Sequence, residues 1–380
     1  MSRRNKIVWG AVSILAVMAL SLALLLVCWE KNEDGETAAE PVKTQEEDTK
    51  PMEKKAQIEP ESREVSLIFT GDVFLSNYVL HNYERAGITG VLDAALLEEL
   101  RGVDLTVINE EFPFSVRGEQ AKDKQFTFRV DPSYVKIFQE MGVDMVTLAN
   151  NHVLDYGDDA LMDTLETLEQ AEILYAGAGE QREQAMQLQV KEVNGVRIGM
   201  LAASRVIPEV SWNIENHQPG VFCTYDPSLL LEKVRAAKNS CDYLFVYIHW
   251  GVERNTEPEE YQKNLARQYI DAGADAIIGS HPHVLQGIEF YQGNPIFYSL
   301  GNFIFNQNIE RTMAVKLEID KKGNTQVCLF PATAIDGKTN LLEREKREVF
   351  YQGLEEISFG IQIDENGVVT EDTTKRDTVP

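Results

Sequence analysis

Two histidines separated by one residue follow a short apolar run at residues 276–280. The run consists of small and β-branched residues, which is typical of a fully buried strand. Its end carries His281 and His283, whose imidazoles bind divalent ions and exchange protons near neutral pH. Because open α/β sheets keep their ligand sites beyond the carboxyl ends of the strands, this position favours a site. The alternative is a pair of solvent-facing histidines on a loop.

Further polar side chains occur at the ends of other strand-like runs. They are Asp72, Glu111, Asn151, His152, Asp155 and His249. Read alone, the Gly71-Asp72 pair is most often a structural turn. Together, however, carboxylate, amide and imidazole ligands suit Mn, Zn or Fe(II), and no cluster of cysteines indicates a structural zinc site. The sequence therefore predicts a site for one or two divalent ions.

Proton transfer at this site is assigned to His152, with Asp155 as the second catalytic candidate. His152 directly follows the candidate ligand Asn151 and is less well placed to be a ligand itself, so it is the candidate general acid. A bound ion would lower the pKa of a water molecule and neutralise an anionic substrate oxygen. A second ion about 4 Å away would permit a two-metal hydrolysis.

The elements that must position these residues alternate between strand and helix. Amphipathic helices are predicted over residues 131–142, 159–172 and 256–273, each between two apolar strand-like runs. This alternation predicts an α/β fold. Residues 63–363 are long enough to form one large domain, and residues 364–380 are predicted to be a flexible tail.

The N-terminus predicts a single-pass membrane anchor. Residues 7–29 carry no charge and follow three basic residues within residues 1–6, so the N-terminus is expected in the cytoplasm and the domain outside the cell membrane. A cleaved signal peptide and a lipoprotein modified at Cys28 are the alternatives. Residues 30–62 form an acidic, aromatic-free linker that is predicted to be disordered. The net charge of −25 argues against nucleic acid as a partner and against simple electrostatic capture of an anionic polymer.

Seven segments, in their order along the chain, resemble the bacterial capsule synthesis proteins of the CapA type, which are associated with poly-γ-glutamate biosynthesis. The segments are Gly71-Asp72, Asn109-x-Glu111, Phe128-Arg129, Ala149-Asn-Asn-His-x-x-Asp-Tyr-Gly157, His249-Trp-Gly251, Gly279-Ser-His-Pro-His283 and Tyr298-Ser-Leu-Gly-Asn-Phe303. The resemblance spans about residues 65–305. It implies a calcineurin-like metallophosphoesterase fold, which is a four-layer α/β/β/α sandwich with a two-metal centre at the strand ends.

The resemblance also implies a division of the metal ligands. Asp72 and His283 would hold one ion, and Asn151, His249 and His281 would hold the other. Glu111 would stand where the phosphoesterases have a bridging carboxylate. The phosphoesterase pattern begins Asp-x-His, whereas Phe74 stands at the third position here. The Asp72 site is therefore expected to be the weaker one.

The same motifs supply candidates for substrate binding. These are Asn109, Arg129, Asn150, Trp250, Glu253, Ser299 and Asn302. The function implied is that of a membrane-anchored hydrolase or transferase that acts on an anionic capsule polymer or its intermediate through a metal-activated water. Other membrane subunits of capsule synthesis are the partners that this function implies. The alternatives are a non-catalytic polymer-binding or scaffold subunit of a capsule synthesis and export complex, and a general metallophosphoesterase.

Overall fold

The computed structural model of the protein describes residues 65–306, 308–320 and 322–372. The predicted cytoplasmic segment 1–6, membrane anchor 7–29 and linker 30–62 lie outside the described residues, as do residues 373–380 of the predicted tail. Within the described part of the chain, no helix is long and apolar enough to cross a bilayer.

Strands make up most of the regular structure. In chain order they are β1 (Val65–Val73), β2 (Leu105–Glu110), β3 (Met145–Thr147), β4 (Leu174–Ala176), β5 (Ala178–Gly179), β6 (Gln189–Val193), β7 (Val196–Ser204), β8 (Gly220–Val221), β9 (Tyr243–His249), β10 (Ala276–Ser280), β11 (Ile288–Tyr291), β12 (Asn294–Phe297), β13 (Asn302–Ile304), β14 (Ile309–Ile319), β15 (Thr325–Ile335), β16 (Lys338–Leu341), β17 (Ile361–Ile363) and β18 (Val368–Glu371).

Helices connect many of these strands. They are α1 (Asn77–Ala86), α2 (Ala94–Arg101), α3 (Lys136–Met141), α4 (Asp158–Gln170), α5 (Arg182–Ala185), α6 (Ser228–Ala237), α7 (Glu260–Ala272) and α8 (Arg344–Glu355). The predicted helices correspond to α3, α4 and α7. The first of them begins with a 3₁₀ turn at Pro132–Val135, and α3 ends at Gly142 in the left-handed conformation.

Two sheets carry the site. The larger has the order β17-β18-β15-β14-β1-β2-β3-β4, with β13 also beside β1 and β16 beside β15. Its strands β1 to β4 are parallel, so their carboxyl ends share one edge. The smaller sheet has the order β11-β12-β10-β9-β7-β6, and its strands β7, β9, β10 and β12 are parallel.

Alternate residues of β9 belong to two different cores. Phe245 and Tyr247 pack towards the larger sheet, where the rings of Phe245 and Phe69 of β1 meet edge-on with their centroids 4.8 Å apart. Val246 and Ile248 pack instead with residues of α6 and α7. The sheets therefore pack face to face, with helices covering the outer face of the smaller one. The mixed α/β fold predicted from the sequence is confirmed.

The folded domain continues beyond residue 363. The strand β18 (Val368–Glu371) lies within the segment predicted to be a flexible tail, yet it pairs with both β17 and β15. The side chain of Val369 is buried in the main core. The predicted domain boundary is therefore too early, because a four-residue strand in a polar segment gives little periodicity to detect.

Gly71 lies where the backbones of β1 and the segment before β13 are in contact. A Cβ atom at this position would overlap the carbonyl oxygen of Gly301. We expect Gly71→Ala to lower the free energy of unfolding by about 3 kcal/mol or more, since neither backbone can move without disturbing the sheet. Urea denaturation followed by tryptophan fluorescence measures this change.

A second glycine provides the matched control. In Gly353→Ala, within α8, the new methyl group would meet only the flexible end of the Arg311 side chain, at 3.1 Å. Alanine favours helix over glycine by about 1 kcal/mol, so this variant should be as stable as the wild type or slightly more so. Equal stability of both variants would contradict the close approach at Gly71.

Candidate metal centre

The candidate ligands converge from both sheets. Asp72 lies near the carboxyl end of β1, Glu111 directly follows β2, and His249 is the last residue of β9. His281 and His283 follow β10, which pairs in parallel with β9 so that Ser280 is opposite His249. Because the two sheets pack face to face, their carboxyl ends meet and these side chains form one cluster.

Glu111 is at the centre of this cluster. Its carboxylate is fully buried, and neither oxygen has a hydrogen-bond partner within the described residues. Oε1 is 3.5 Å from Nε2 of His249, and Oε2 is 3.9 Å from Nδ1 of His283. Burial, together with the charge of Asp72, raises the pKa of Glu111 well above its usual range. A buried carboxylate without hydrogen bonds between histidine nitrogens fits a divalent ion.

His249, Asn151 and His281 contribute the first group of ligand atoms. Nε2 of His249 is 2.7 Å from Oδ1 of Asn151 and 3.1 Å from Nδ1 of His281. The other ring nitrogen of His249 is 3.0 Å from Oγ of Ser280, which orients the imidazole. These three side chains thus lie together, with Glu111 beside His249, and their assignment to one ion stays a prediction.

Asp72 and His283 form the second group, which is poorer in ligands. Oδ2 of Asp72 is 3.4 Å from Nδ1 of His283. Nδ1 of His283 is also 2.7 Å from Oδ1 of Asn302, and Oδ1 of Asp72 accepts a hydrogen bond of 2.7 Å from Asn109. Phe74 supplies no ligand atom where the phosphoesterase pattern has a histidine.

The separation into two groups is not sharp. Two sets of three histidine and carboxylate residues have ligand atoms within 4.8 Å of one another: Glu111, His281 and His283, and Asp72, Glu111 and His249. Both sets contain Glu111, which agrees with a bridging role. The assignment of each histidine to one ion stays a prediction.

The histidines differ in their affinity for protons. Burial and the neighbouring histidines lower the pKa of His249 well below its usual range and that of His281 to about 3, so both rings are neutral, as metal ligands must be. Burial opposes protonation of His283 as well, but the charges of Glu111 and Asp72 outweigh it and raise the pKa of His283 to about 10. An ion that binds to His283 must therefore displace a proton.

Backbone strain accompanies these positions. His281 and His283 have positive φ angles of 101° and 59°, which side chains other than glycine rarely adopt. Such conformations cost of order 1 to 3 kcal/mol each and persist where the surrounding structure imposes them. The backbone after β10 is thus bent so that both imidazoles turn towards Glu111.

His152 is held by a buried carboxylate. Its Nδ1 is 2.7 Å from Oδ2 of Asp155, which is fully buried and also accepts a hydrogen bond of 2.6 Å from the backbone N–H of Phe128. Nδ1 of His152 can donate to this carboxylate, which would leave Nε2 for a substrate. Burial lowers the pKa of His152, so the resting ring is neutral.

Lys124 is a member of this cluster that the sequence analysis missed. Its ammonium group contacts Oδ1 of Asp155 and the carbonyl oxygen of Asn151, and it lies 2.9 Å from Nδ1 of His152. The side chain is only 12% exposed. Lys124 belongs to the irregular segment between β2 and α3, where no periodicity marks a residue as buried, so no local signal identified it.

An open cavity of about 610 Å³ adjoins the cluster. His152, His283 and Asn302 line it on the polar side. The rings of Phe74 and Phe128 are stacked with centroids 4.0 Å apart, and Phe128 is stacked in turn on His152 at 4.1 Å. A substrate that reaches the cluster therefore passes an aromatic wall.

Only some of the predicted substrate-binding residues lie on cavities. Glu253 and Asn302 line the cavity beside the cluster, and Arg129 lines a neighbouring one. Trp250 and Ser299 have no exposed surface; Nε1 of Trp250 donates to the carbonyl oxygen of Tyr298 and Oγ of Ser299 to that of Val284. The structure gives these two residues a structural role in place of the predicted substrate contact.

Asn109 and Asn150 also have structural roles, since both form hydrogen bonds within the protein next to the candidate ligands. Both are fully buried, and Asn150 donates a hydrogen bond of 3.1 Å to Oδ1 of Asn109. Oδ1 of Asn150 accepts hydrogen bonds from the backbone N–H groups of His152 and Val153. These amides orient Asp72 and the His152 loop instead of contacting a substrate, because all of their polar atoms are already engaged.

Comparison with known proteins identifies the family. Residues 66–307 match the family model described as bacterial capsule synthesis protein PGA_cap. The chain belongs to this family. The resemblance inferred from the sequence motifs is thereby confirmed, and the matched region contains every candidate ligand of the metal centre.

Relatives within the capsule synthesis family include two named proteins. The chain is 34% identical over 278 residues to the PGA biosynthesis protein CapA of Bacillus subtilis, a match that covers 72% of this chain and 71% of that one. It is also 34% identical over 260 residues to the capsule biosynthesis protein CapA of Bacillus anthracis, covering 66% of this chain and 62% of that one.

Among solved structures, the capsule synthesis chain is similar to a putative 5'-nucleotidase from Staphylococcus aureus in complex with α-ketoglutarate. The two share 17% identity with a TM-score of 0.45, and the similarity covers 77% of this chain and 58% of that one.

Proposed function

We propose that this capsule synthesis protein is a metal-dependent hydrolase or transferase that acts on a poly-γ-glutamate-type polymer or its intermediate. The proposal is carried by Glu111, a fully buried carboxylate without a hydrogen-bond partner within the described residues, with histidine nitrogens on both sides. Burying such a group costs several kcal/mol, and Glu111 differs from the equally buried Glu110 in having a histidine nitrogen beside each carboxylate oxygen, an arrangement that a shared divalent ion would stabilise. We further propose that the mixed α/β fold is the four-layer sandwich of the metallophosphoesterases.

A divalent ion of the Mn, Zn or Fe type would be held by Glu111 together with His249, His281 and Asn151, and a weaker one by Asp72 and His283. Such an ion supplies Lewis acidity and charge neutralisation at an anionic oxygen. The chain itself contributes the orientation of its ligands through Ser280 and Asn109.

His152 moves the proton in this proposal. Asp155 accepts the hydrogen of Nδ1 and so leaves Nε2 for a group in the cavity that His152 lines. Phe128 covers one face of the ring and keeps water from that side. Removal of a group that acts as general acid or base lowers a reaction rate by about 10² to 10⁴-fold.

A non-catalytic role in polymer binding is the second candidate, and it is favoured by the absence of a histidine at Phe74. Complementation of a capsule-deficient strain with His152→Ala and His281→Ala distinguishes the two. If the protein is an enzyme, both variants reach the membrane but fail to restore capsule. Full capsule formation with both variants would leave only the binding role. Turnover of simple phosphoesters with added Mn²⁺ would instead favour a general phosphatase.

The ligand deficit at Phe74 gives a further prediction. Phe74 and His283 both pack against Phe305, with centroid distances of 5.6 and 5.1 Å, so a histidine at residue 74 would lie beside the weaker group. We expect Phe74→His to raise the tightly held metal from one ion per chain to two, as measured by elemental analysis after desalting. Phe74→Leu is the control and should retain one. Two ions in the wild type would contradict the asymmetry.

Membrane anchoring through residues 7–29 completes the proposal. The uncharged segment follows three basic residues, which favours a cytoplasmic N-terminus and an external domain. We expect the full chain to remain with membranes after high-salt and carbonate washing, whereas a chain without residues 1–29 does not. Protease added to intact protoplasts should degrade the domain. Its protection would contradict the external location.

A further inference from the structure

A second cavity, of about 400 Å³, lies next to the metal centre. Phe74 and Asn306 line both cavities, which are therefore adjacent. Arg129 lines the second cavity, whereas none of the described residues that line it is acidic. In a chain with 61 acidic and 36 basic residues, such a place favours an anion.

The N-terminus of α1 faces this cavity through Ser76, Asn77 and Tyr78. No acceptor within the described residues receives a hydrogen bond from the backbone N–H groups of Asn77, Tyr78 and Val79. The first-turn N–H groups of a helix carry a partial positive charge and bind oxyanions when no side chain caps them.

Ser76 occupies the N-cap position of α1 but does not cap the helix. A serine at this position usually accepts a hydrogen bond from the first turn, whereas Oγ of Ser76 has no partner within the described residues. The residue is only 7% exposed. A buried hydroxyl without a partner costs about 1 to 3 kcal/mol, which a bound oxyanion would recover.

Arg129 supplies the full positive charge. Its guanidinium is stacked over the ring of Tyr156 at 4.0 Å, and Nη1 donates to the carbonyl oxygen of Arg117 at 3.1 Å. No carboxylate of the described residues forms an ion pair with it. The stacking fixes the plane of the guanidinium, and a planar guanidinium pairs with a carboxylate through two parallel hydrogen bonds.

We propose that this cavity is a subsite for one carboxylate of an acidic polymer, bound by Arg129, the hydroxyl of Ser76 and the N–H groups of α1. The inference rests on the proposed function for the identity of the polymer. A polymer with one of its residues at the metal centre would extend past Phe74 and place a further carboxylate in the subsite. The methylene groups of the polymer would lie against the aromatic rings of Phe74 and Phe128. The subsite thus selects substrates with repeated carboxylates.

Binding of a fluorescent γ-linked hexaglutamate to the detergent-purified full chain tests this subsite. The measurement is made in EDTA, so that it does not depend on a metal. Arg129→Gln removes the charge, and Ser76→Asp places a carboxylate at the subsite while remaining a good helix cap. We expect each variant to weaken binding by about tenfold or more. The control Arg85→Gln makes the same charge change in the last turn of α1 and should retain wild-type affinity.

Two results would overturn the proposal. One is wild-type affinity in both Arg129→Gln and Ser76→Asp. The other is displacement of the hexaglutamate by inorganic phosphate at equal concentration, which would assign the subsite to phosphate. The catalytic proposal is tested independently by capsule complementation and metal analysis. Because binding of the hexaglutamate is measured in EDTA, its result does not depend on whether the protein binds a metal or catalyses a reaction.

Discussion

Replacing Glu111 with Gln is expected to abolish metal binding while leaving the fold intact. Glu111 is shared by both sets of candidate ligands, so its loss affects both ions. A ligand present at 100 times its dissociation constant stabilises the folded protein by about 2.7 kcal/mol. For a domain of this size, this corresponds to a rise in melting temperature of about 5 °C. The wild type should show this rise on addition of Mn²⁺ or Zn²⁺. Glu111→Gln should show none and retain no metal after desalting.

Glu110→Gln is a closely matched control for this substitution. Glu110 is also fully buried, and neither of its carboxylate oxygens has a hydrogen-bond partner within the described residues. It belongs to neither set of candidate ligands, and adjacent residues of a strand point to opposite faces. Its variant should keep the metal-dependent rise in melting temperature. An equal loss in both variants would mean that Glu111 acts through general stability and not as a ligand.

Lys124→Met is expected to destabilise the protein by about 3 to 5 kcal/mol. Lys124 forms an ion pair with Asp155, whose side chain has no exposed surface. Removing one member of a buried pair leaves the other charge without compensation, which is the source of this large cost. Asp155 is also the group that holds His152, so capsule complementation should fail as well. Urea denaturation measures the loss of stability.

A double-mutant cycle separates the charge effect from packing. Lys124→Met combined with Asp155→Asn removes both charges, and its cost should fall below the sum of the single costs by about 0.5 to 3 kcal/mol. Lys122→Met changes the same charge at an exposed position of the same segment and should alter stability by less than about 0.5 kcal/mol. Strict additivity of the two single variants would exclude coupling between Lys124 and Asp155.

The strand ends explain why much of the centre was predictable from the sequence. Buried strands appear as short apolar runs, and the polar residue that ends each run is visible without any tertiary information. Parallel strands place their carboxyl ends at one edge, so Asp72, Glu111 and Asn151 had to meet. His249 and the two histidines after β10 follow the same rule in the second sheet. The sequence by itself thus determined the mixed α/β fold and the candidate ligands.

Only the tertiary structure decided which polar groups face the cavity. Asn109, Asn150, Trp250 and Ser299 belong to the same motifs as the ligands, yet their polar atoms are used in internal hydrogen bonds. Burial of this kind depends on neighbours distant in sequence, and a motif contains no information about them. Local patterns therefore identify the segments of a site more readily than the role of each side chain.

Lys124 and Ser76 belong to the candidate sites in the structure, although the sequence analysis did not identify them. Lys124 contacts Asp155 from an irregular segment whose sequence has neither the periodicity of a strand nor that of a helix. Ser76 is a residue type that commonly caps helices, so the sequence gives no sign that its hydroxyl does not do so. Their importance arises from long-range packing, which places an ammonium group beside a buried carboxylate and leaves a buried hydroxyl without a partner. The sequence determined which strands carry the chemistry, whereas packing between distant segments decided how its charges are balanced.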